Sequence, residues 1–243
     1  MPSPVDSRIT QPIIEQLLQE TEKEQQLALL LAADLLNQES LSQLLDTAAN
    51  LVRTDPMQAR RLSHICGELA GHVEAPLLLP KAIYVDAQTH AVMGQLDKAL
   101  ELITSARDGY IALKAELPAL RTNLGRIHVL NELGYHQEAV AVAQDLLDHL
   151  AQLTNLSDSA QAEARMIEAI AYQNQGICYR MIGRYEEALQ AYTSAEAGFQ
   201  QVGITERLAD IYNNRGIILL HLGRVNEALA DCKTAASALQ EVG

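Results

Sequence analysis

The sequence is poor in aromatic residues and in positive charge. It has no tryptophan and one phenylalanine among 243 residues, so any hydrophobic core must consist of aliphatic side chains and alanine. Its 18 lysine and arginine residues are outnumbered by 31 acidic ones, and the net charge is -13. A nucleic-acid or anionic-membrane partner is therefore disfavoured, because neutralising phosphates requires clustered basic side chains.

Cysteine and long apolar runs are also scarce. The three cysteines lie far apart and form no Cys-x-x-Cys pair, so neither a disulfide framework nor a zinc site is indicated. No apolar run approaches the roughly 18–20 residues that a transmembrane helix needs. The first eight residues lack the basic start and apolar stretch of a signal peptide, so we expect a cytoplasmic location.

What the sequence does contain is a short segment repeated in one phase. A glycine, a polar-rich run of four residues, an alanine and an aliphatic residue recur at 94–100, 134–140, 183–189 and 223–229. The glycines are spaced 40, 49 and 40 residues apart, and a further step of 40 back from Gly94 reaches Thr54, with Ala59 in the expected place. Five copies at a nearly fixed period indicate an array of stacked repeats.

Each repeat is expected to hold two helices, a first helix before the glycine and a second helix after it. The glycine ends the first helix in the left-handed conformation that glycine adopts without strain. We expect Ser40 and Gln43 to form a capping box, and Asp55 and Pro56 to begin a second helix. The spacing of 49 inserts nine residues around 154–159, which predicts a longer loop, a longer helix start, or both.

The helical periodicity also divides the chain. Apolar residues at three- and four-residue intervals predict one or two amphipathic helices within 9–36, which we interpret as a cap on the first repeat; a separate partner-binding helix is the alternative. The predicted domains are an N-terminal helical cap at 1–39 and an array at 40–243, with repeats at about 40–74, 80–114, 118–154, 158–203 and 204–243. Because the last repeat carries no polar capping helix, we expect the sequence to be cut from a longer array.

All three cysteines should be buried in this arrangement. Cys66 and Cys232 fall on second helices, and Cys178 falls on a first helix near a position that favours small residues. A free cysteine in such a position behaves as a small hydrophobic residue.

Residues 172–195 carry the pattern of a known repeat. The residues at its characteristic spacing are Tyr172, Gly176, Tyr179, Gly183, Tyr185, Ala188, Tyr192 and Ala195, and the final copy keeps Tyr212, Gly216, Leu219, Gly223, Ala228 and Ala235. This pattern resembles the tetratricopeptide repeat (TPR), although the period of 40 exceeds the usual value of about 34. The resemblance implies an all-α fold, a right-handed α-solenoid of five helix-turn-helix repeats of a longer-helix subtype.

A second resemblance is narrower. The segments 53–59 and 120–134, followed by the two 40-residue copies, look like the N-terminal repeats of bacterial CHAT-domain proteins, in which TPRs precede a caspase-like protease. No strand-rich segment that would hold a Cys–His dyad is visible in this sequence. The resemblance therefore implies at most the regulatory part of such a protease.

Motifs for catalysis are missing. The sequence has no glycine-rich phosphate loop, no His-Glu-x-x-His, no Gly-x-Ser-x-Gly and no supported carboxylate pair. His64 and His128 lie on different predicted helices without a ligand partner at metal spacing. We therefore expect no enzyme, no cofactor and no metal site.

The resemblance to TPRs implies that the first helices line a concave groove. Its groove positions correspond here to Lys81, Tyr84, Gln88, Arg121, His128, Asn131, Gln173, Asn174, Arg180, Asn213, Asn214 and His221. None of these is an acid, although the chain is acidic overall, and amides and cations suit the backbone and carboxylates of an extended peptide. The alternative is a solvated polar face with no ligand.

The sequence thus predicts a non-catalytic scaffold that binds a peptide or protein partner in its groove. One alternative is a peptide-sensing TPR module of a bacterial regulator, which should also carry a DNA-binding helix-turn-helix. Another is a self-assembling array, a homo-oligomer that pairs through the uncapped helix after Val225.

Overall fold

A computed structural model describes residues 9–242, with side chains described for 9–237. These residues form α-helices joined by turns, with one short 3-10 turn and no β-strand among them, which confirms the all-α class. The helices are α1 Gln11–Gln19, α2 Lys23–Ala32, α3 Gln38–Leu51, α4 Pro56–Leu69, α5 Leu78–Val92, α6 Leu96–Ala112, α7 Glu116–Glu132, α8 His136–Gln152, α9 Asp158–Met181, α10 Tyr185–Gln201, α11 Leu208–His221 and α12 Val225–Val242. Among the described helices, none combines the length and apolarity that a bilayer crossing requires.

The chain divides into two compact units inside α7. Unit 1 ends at Thr122 and unit 2 begins at Asn123. Both units show the alternation of first and second helices that the repeats predict.

Unit 1 is built around a leucine-rich core. Leu17 of α1 and Leu30 of α2 are fully buried in one cluster with Leu44 of α3 and Leu62 of α4. The N-terminal helices therefore share their core with the first helix pair. Burying such side chains is the main stabilising contribution in a unit with so few aromatic residues.

The helix starts of unit 1 confirm one prediction and correct another. Asp55 caps α4 by accepting a hydrogen bond from the Gln58 amide at 3.0 Å, and Pro56 is its first residue, as predicted. The predicted capping box at Ser40 is wrong: Asn37 caps α3, and its Oδ1 accepts from the Ser40 amide at 2.9 Å. Ser40 is instead buried inside the first turn of the helix.

In the core of unit 2, small residues pack against aromatic rings. The Tyr192 and Phe199 side chains are fully buried in its core. A Cβ added to Gly176 would lie 2.9 Å from the Tyr192 ring, so the close approach of α9 and α10 depends on glycine at this position.

The repeat glycines close the first helices as predicted. Gly183 has φ 76°, and the Arg184 amide donates to the Tyr179 carbonyl at 2.9 Å, which satisfies a carbonyl at the helix end. The glycines at 94, 134 and 223 adopt the same conformation.

The insertion of nine residues is mainly helix. Helix α9 has 24 residues against 17 in α7, and the loop before α9 spans 153–157 where the loop before α7 spans 113–115. Ser157 caps the longer helix, its hydroxyl accepting from the Ala160 amide at 3.3 Å. Of the predicted alternatives, a longer loop and a longer helix start are both present.

One cysteine departs from the prediction. Cys66 and Cys178 are buried, but Cys232 on α12 is exposed. Its counterpart 40 residues earlier, Tyr192, is fully buried because another helix follows α10. No described helix follows α12, so the same position in that helix remains uncovered.

Candidate interaction surface

The twelve predicted groove residues lie on first helices and are divided between the two units. Unit 1 contains Lys81, Tyr84, Gln88 and Arg121; unit 2 contains the other eight. Counted back from the glycine that ends each helix, they occupy positions 13, 10, 9, 6, 3 and 2. Residues three, four or seven apart share a face of their helix, whereas the adjacent pairs Gln173/Asn174 and Asn213/Asn214 point about 100° apart.

In unit 1, the lysine of this face forms contacts within the chain. The Lys81 ammonium lies 2.7 Å from Oδ1 of Asp46 on α3 and donates to the Ser42 hydroxyl at 2.9 Å. The predicted face contains no acid, but an acid from the preceding first helix neutralises its lysine. Lys81 therefore ties α5 to α3.

Two other predicted residues of unit 1, Tyr84 and Gln88, differ in their hydrogen bonds. The Tyr84 hydroxyl donates to the Arg121 carbonyl at 3.5 Å, a long hydrogen bond. Gln88 is half-buried, and its amide makes no hydrogen bond to another described residue.

In unit 2, several predicted residues are also engaged. The Asn131 side-chain oxygen lies 2.7 Å from Nδ1 of His136 across the turn, and Asn214 donates to the Asp210 carbonyl at 2.9 Å. Gln173 is buried and accepts from Arg207 at 3.2 Å. His221 stacks on Tyr185 with ring centroids 5.5 Å apart. Asn214 bonds within its own helix, whereas the other three contact residues outside theirs, and all four have less freedom to meet a ligand.

Three predicted residues of unit 2 have open polar groups. His128 of α7, Asn174 of α9 and Asn213 of α11 make no hydrogen bond or ion pair with any described residue. His128 and Asn213 are exposed and Asn174 is half-buried. We refer to these three residues, one on each first helix of unit 2, as the open polar set.

Arg180 is half-buried beside a core tyrosine. The Arg180 Nε and the Tyr192 hydroxyl are both buried, and neither atom has a hydrogen-bond partner. Burial raises the pKa of Tyr192 to about 12, and the nearby Arg180 charge opposes that rise. Arg180 thus lies at the edge of the core rather than fully on the polar face.

An ionic network in unit 2 was not predicted from the sequence. Arg215 of α11 forms two bonds with Asp231 of α12, at 2.6 and 2.7 Å, and a third with Glu196 of α10 at 2.7 Å. The Tyr212 hydroxyl donates to Glu196 at 2.7 Å. The residue 40 positions before Arg215 is Gln175, so the repeat pattern gives no signal for an arginine there.

Neither clustered metal ligands nor activated buried thiols occur among the described residues. No group of three or more histidine, cysteine or acidic side chains within residues 9–237 is placed to hold a metal ion. The buried thiols of Cys66 and Cys178 have pKa values raised to about 12 and about 11 by burial, which disfavours the reactive thiolate.

Comparison with known proteins supports the repeat assignment. Residues 209–238 match the family model described as tetratricopeptide repeat. No curated protein sequence matches the chain. The likeness to solved structures extends further and concerns the fold.

Three solved structures share this fold. A Rap protein complexed with Competence and Sporulation Factor aligns at 18% identity and a TM-score of 0.62, over 77% of this chain and 51% of that one. Aspartyl phosphate phosphatase F from Bacillus subtilis aligns at 17% identity and 0.65, over 96% of this chain and 61% of that one. BtubC (BKLC) from P. vanneervenii aligns at 18% identity and 0.62, over 92% and 93%.

The chain thus spans about half the length of the Rap protein and under two thirds of the phosphatase. At these identities the likeness shows the fold alone. The chain contains a tetratricopeptide repeat at residues 209–238 within a helical, TPR-like fold.

Proposed function

We propose that the protein is a non-catalytic scaffold that binds a peptide or protein partner through the polar faces of its first helices. The observation that carries this proposal is the open polar set in unit 2. Three successive first helices each present a polar side chain that bonds no described residue, on the face predicted for a ligand.

The chemistry of this set suits a polypeptide. An asparagine amide both donates and accepts, so it pairs with the alternating N–H and C=O groups of an extended chain. No acid belongs to the predicted face, although the protein carries a net charge of -13. A partner with carboxylates would meet less repulsion here than elsewhere on the surface.

The shared fold adds support. One of the similar chains was crystallised with a bound factor, so a fold of this kind is compatible with ligand recognition. The cytoplasm is the compartment that we propose for this activity, from the sequence features given above.

Site-specific cross-linking tests the proposed face. A dodecapeptide is first selected from a random library on the immobilised protein, and a photoreactive phenylalanine analogue then replaces Asn174 on α9 or, as a control, the exposed Gln190 on α10. We expect the peptide to cross-link at position 174 and not at 190. Equal cross-linking, or cross-linking at 190 alone, would place the ligand elsewhere.

A second candidate function is self-association through the last helix pair. Val225 and Leu229 are 59% and 53% exposed, whereas their counterparts Tyr185 and Leu189 pack against the core of unit 2. Sedimentation velocity over a range of protein concentrations tests this function. Association that V225S/L229S abolishes would support it, and a monomer at all concentrations would exclude it.

The CHAT resemblance gives the scaffold a more specific form. In that form the repeats restrain or recruit a caspase-like protease encoded in the same reading frame and release it when a partner binds. Sequencing the full-length gene tests this form, because a frame without a protease domain removes it and leaves the scaffold proposal intact.

A further inference from the structure

Unit 1 contains an open cleft away from the predicted polar face. It lies between α4 and the turn that joins α1 to α2, and its volume is about 690 Å³. This volume is within the range of pockets that hold small ligands. None of the twelve predicted groove residues lines it.

A buried amide in the cleft wall has an unsatisfied acceptor. Gln26 is 5% exposed, and its Nε2 donates to the Glu20 carbonyl at 2.9 Å. This bond fixes the orientation of the amide, because only the nitrogen can donate. Its Oε1 is buried and has no hydrogen-bond partner, and Gln26 is one of the residues that line the cleft. Buried acceptors without a partner are uncommon.

Basic groups lie along the α4 wall. Arg61 donates one bond, from Nη2 to the Glu20 carbonyl at 3.3 Å, which leaves other N–H groups of its guanidinium available. His64 is exposed less than one turn further along the helix. Arg60 is partly engaged, with its Nε 3.4 Å from Asp86. Arg61 and His64 are therefore the groups suited to receive a carboxylate.

Acidic and apolar side chains complete the lining. Glu20 and Glu68 also line the cleft, so a ligand with negative charge alone would be repelled at two places. Met57 is 61% exposed, and a flexible thioether adapts to varied side chains. The lining thus suits a ligand that brings a carboxylate, several N–H donors and aliphatic groups together.

The length of the cleft favours a peptide over a compact metabolite. Its α4 wall extends from Met57 to Glu68, which is roughly 16 Å at 1.5 Å per helical residue. An extended peptide rises about 3.3 Å per residue, so about five residues cover this distance.

We propose that this cleft binds an extended acidic peptide segment of another protein, about five residues long. Its central carboxylate pairs with Arg61 and His64, which are both exposed on the α4 wall of the cleft. The site is independent of the open polar set, which belongs to unit 2.

Methyl NMR with two peptide pools tests the proposal. The pools are acetylated, amidated pentapeptides of mixed sequence, with aspartate fixed at the centre of one and asparagine at the centre of the other. The protein carries ¹³C-methyl methionine, and M57L identifies the Met57 signal among the five methionines. We expect the aspartate pool to shift the Met57 signal and the asparagine pool to leave it in place at the same concentration.

Variants make the test specific. Arg61→Ala and His64→Ala should each weaken the response by at least about fivefold, because each removes a charge-assisted hydrogen bond. The control Arg53→Ala removes an exposed arginine outside the cleft and should change nothing. Replacing the open polar set by alanine should also change nothing, which separates this site from the proposed scaffold function.

Several results would overturn the proposal. They are no shift with the aspartate pool, equal shifts with both pools, or an equal shift with free glutarate, which would indicate a small carboxylate. A Met57 signal that moves with protein concentration alone would show that a second copy of the chain fills the cleft.

Discussion

The residues that recur most often in the repeats are packing residues. The repeat alanines at 59, 99, 139, 188 and 228 are all at most 1% exposed. Each lies one turn into a second helix, where a small side chain lets the paired helix approach. The conserved spacing of the copies therefore encodes helix pairing, and ligand choice must depend on residues that differ between copies.

Gly176 tests this packing at a single residue. We expect Gly176→Ala to lower the free energy of unfolding by about 1–3 kcal/mol, because the added methyl group meets the buried Tyr192 ring. The control Gly71→Ala adds the same group in open space and should change it by at most about 0.5 kcal/mol. Urea denaturation followed by circular dichroism measures both. Equal losses would show that the approach of α9 to α10 does not depend on glycine.

Thiol reactivity tests the burial of the cysteines. At pH 8, we expect a chromogenic aromatic disulfide to label Cys232 quickly and to leave Cys66 and Cys178 unreacted. Burial both shields those two thiols and raises their pKa values, to about 12 and about 11. Absorbance should therefore report one thiol in the native protein and three after denaturation. Fast labelling of two or more native thiols would contradict the described core.

At the scale of helices, the repeat pattern predicted which helices exist and in what order. It was less accurate for the residues at which they begin. Helix α7 begins at Glu116, two residues before Pro118, where the third repeat was predicted to start. Proline is tolerated there because the first-turn amides have no partner within the helix. Similarly, Asn37 replaced Ser40 as the cap of α3, since both side chains suit that position and only the backbone path selects one.

The sequence predicted where the residues of the candidate face lie, but not which of them form contacts within the chain. Helical periodicity places its residues on one side of each first helix. Which of them remain open depends on partners distant in sequence, such as Asp46 for Lys81 and Arg207 for Gln173. A single sequence gives no distance between such residues, so the pairing and the Gln26 cleft required the structure.

The contact of α11 with α12 is open to a direct test. We expect Arg215→Ala to lower the free energy of unfolding by about 3–5 kcal/mol, because it leaves the nearly buried Asp231 carboxylate without its partner. Arg224→Ala, which breaks exposed pairs with Glu227 and Glu186, should cost at most about 1 kcal/mol. Chemical denaturation gives both values. Similar losses for the two variants would mean that the Arg215 network contributes no more than a surface ion pair.

At the scale of the whole molecule, buried acidic groups in both units link stability to pH. Cys66 in unit 1 and Tyr192 in unit 2 each have a pKa raised to about 12, from ordinary values of 9.0 and 10.0, chiefly by burial. Below about pH 8 both groups are protonated in the folded and unfolded states, so they add no pH dependence. Above it the unfolded chain loses these protons first, and stability falls until the pH passes the folded values.

We therefore expect the free energy of unfolding to fall by on the order of a few kcal/mol between pH 8 and pH 11. Urea denaturation at a series of pH values measures the slope. Cys66→Ala and Tyr192→Phe should each flatten it, because each removes one titrating group. If neither variant changes the slope, the loss of stability at alkaline pH must come from other residues.

The central claim is that the first helices carry the partner-binding surface. Its most direct test is calorimetric titration of a selected dodecapeptide into two matched variants. One replaces His128, Asn174 and Asn213 on first helices by alanine; the other replaces Gln137, Gln190 and Asn226, which are exposed on second helices. The account predicts a Kd at least about tenfold higher for the first variant, from the loss of several hydrogen bonds, and an unchanged Kd for the second. An unchanged Kd for the first variant, or equal weakening in both, would contradict it.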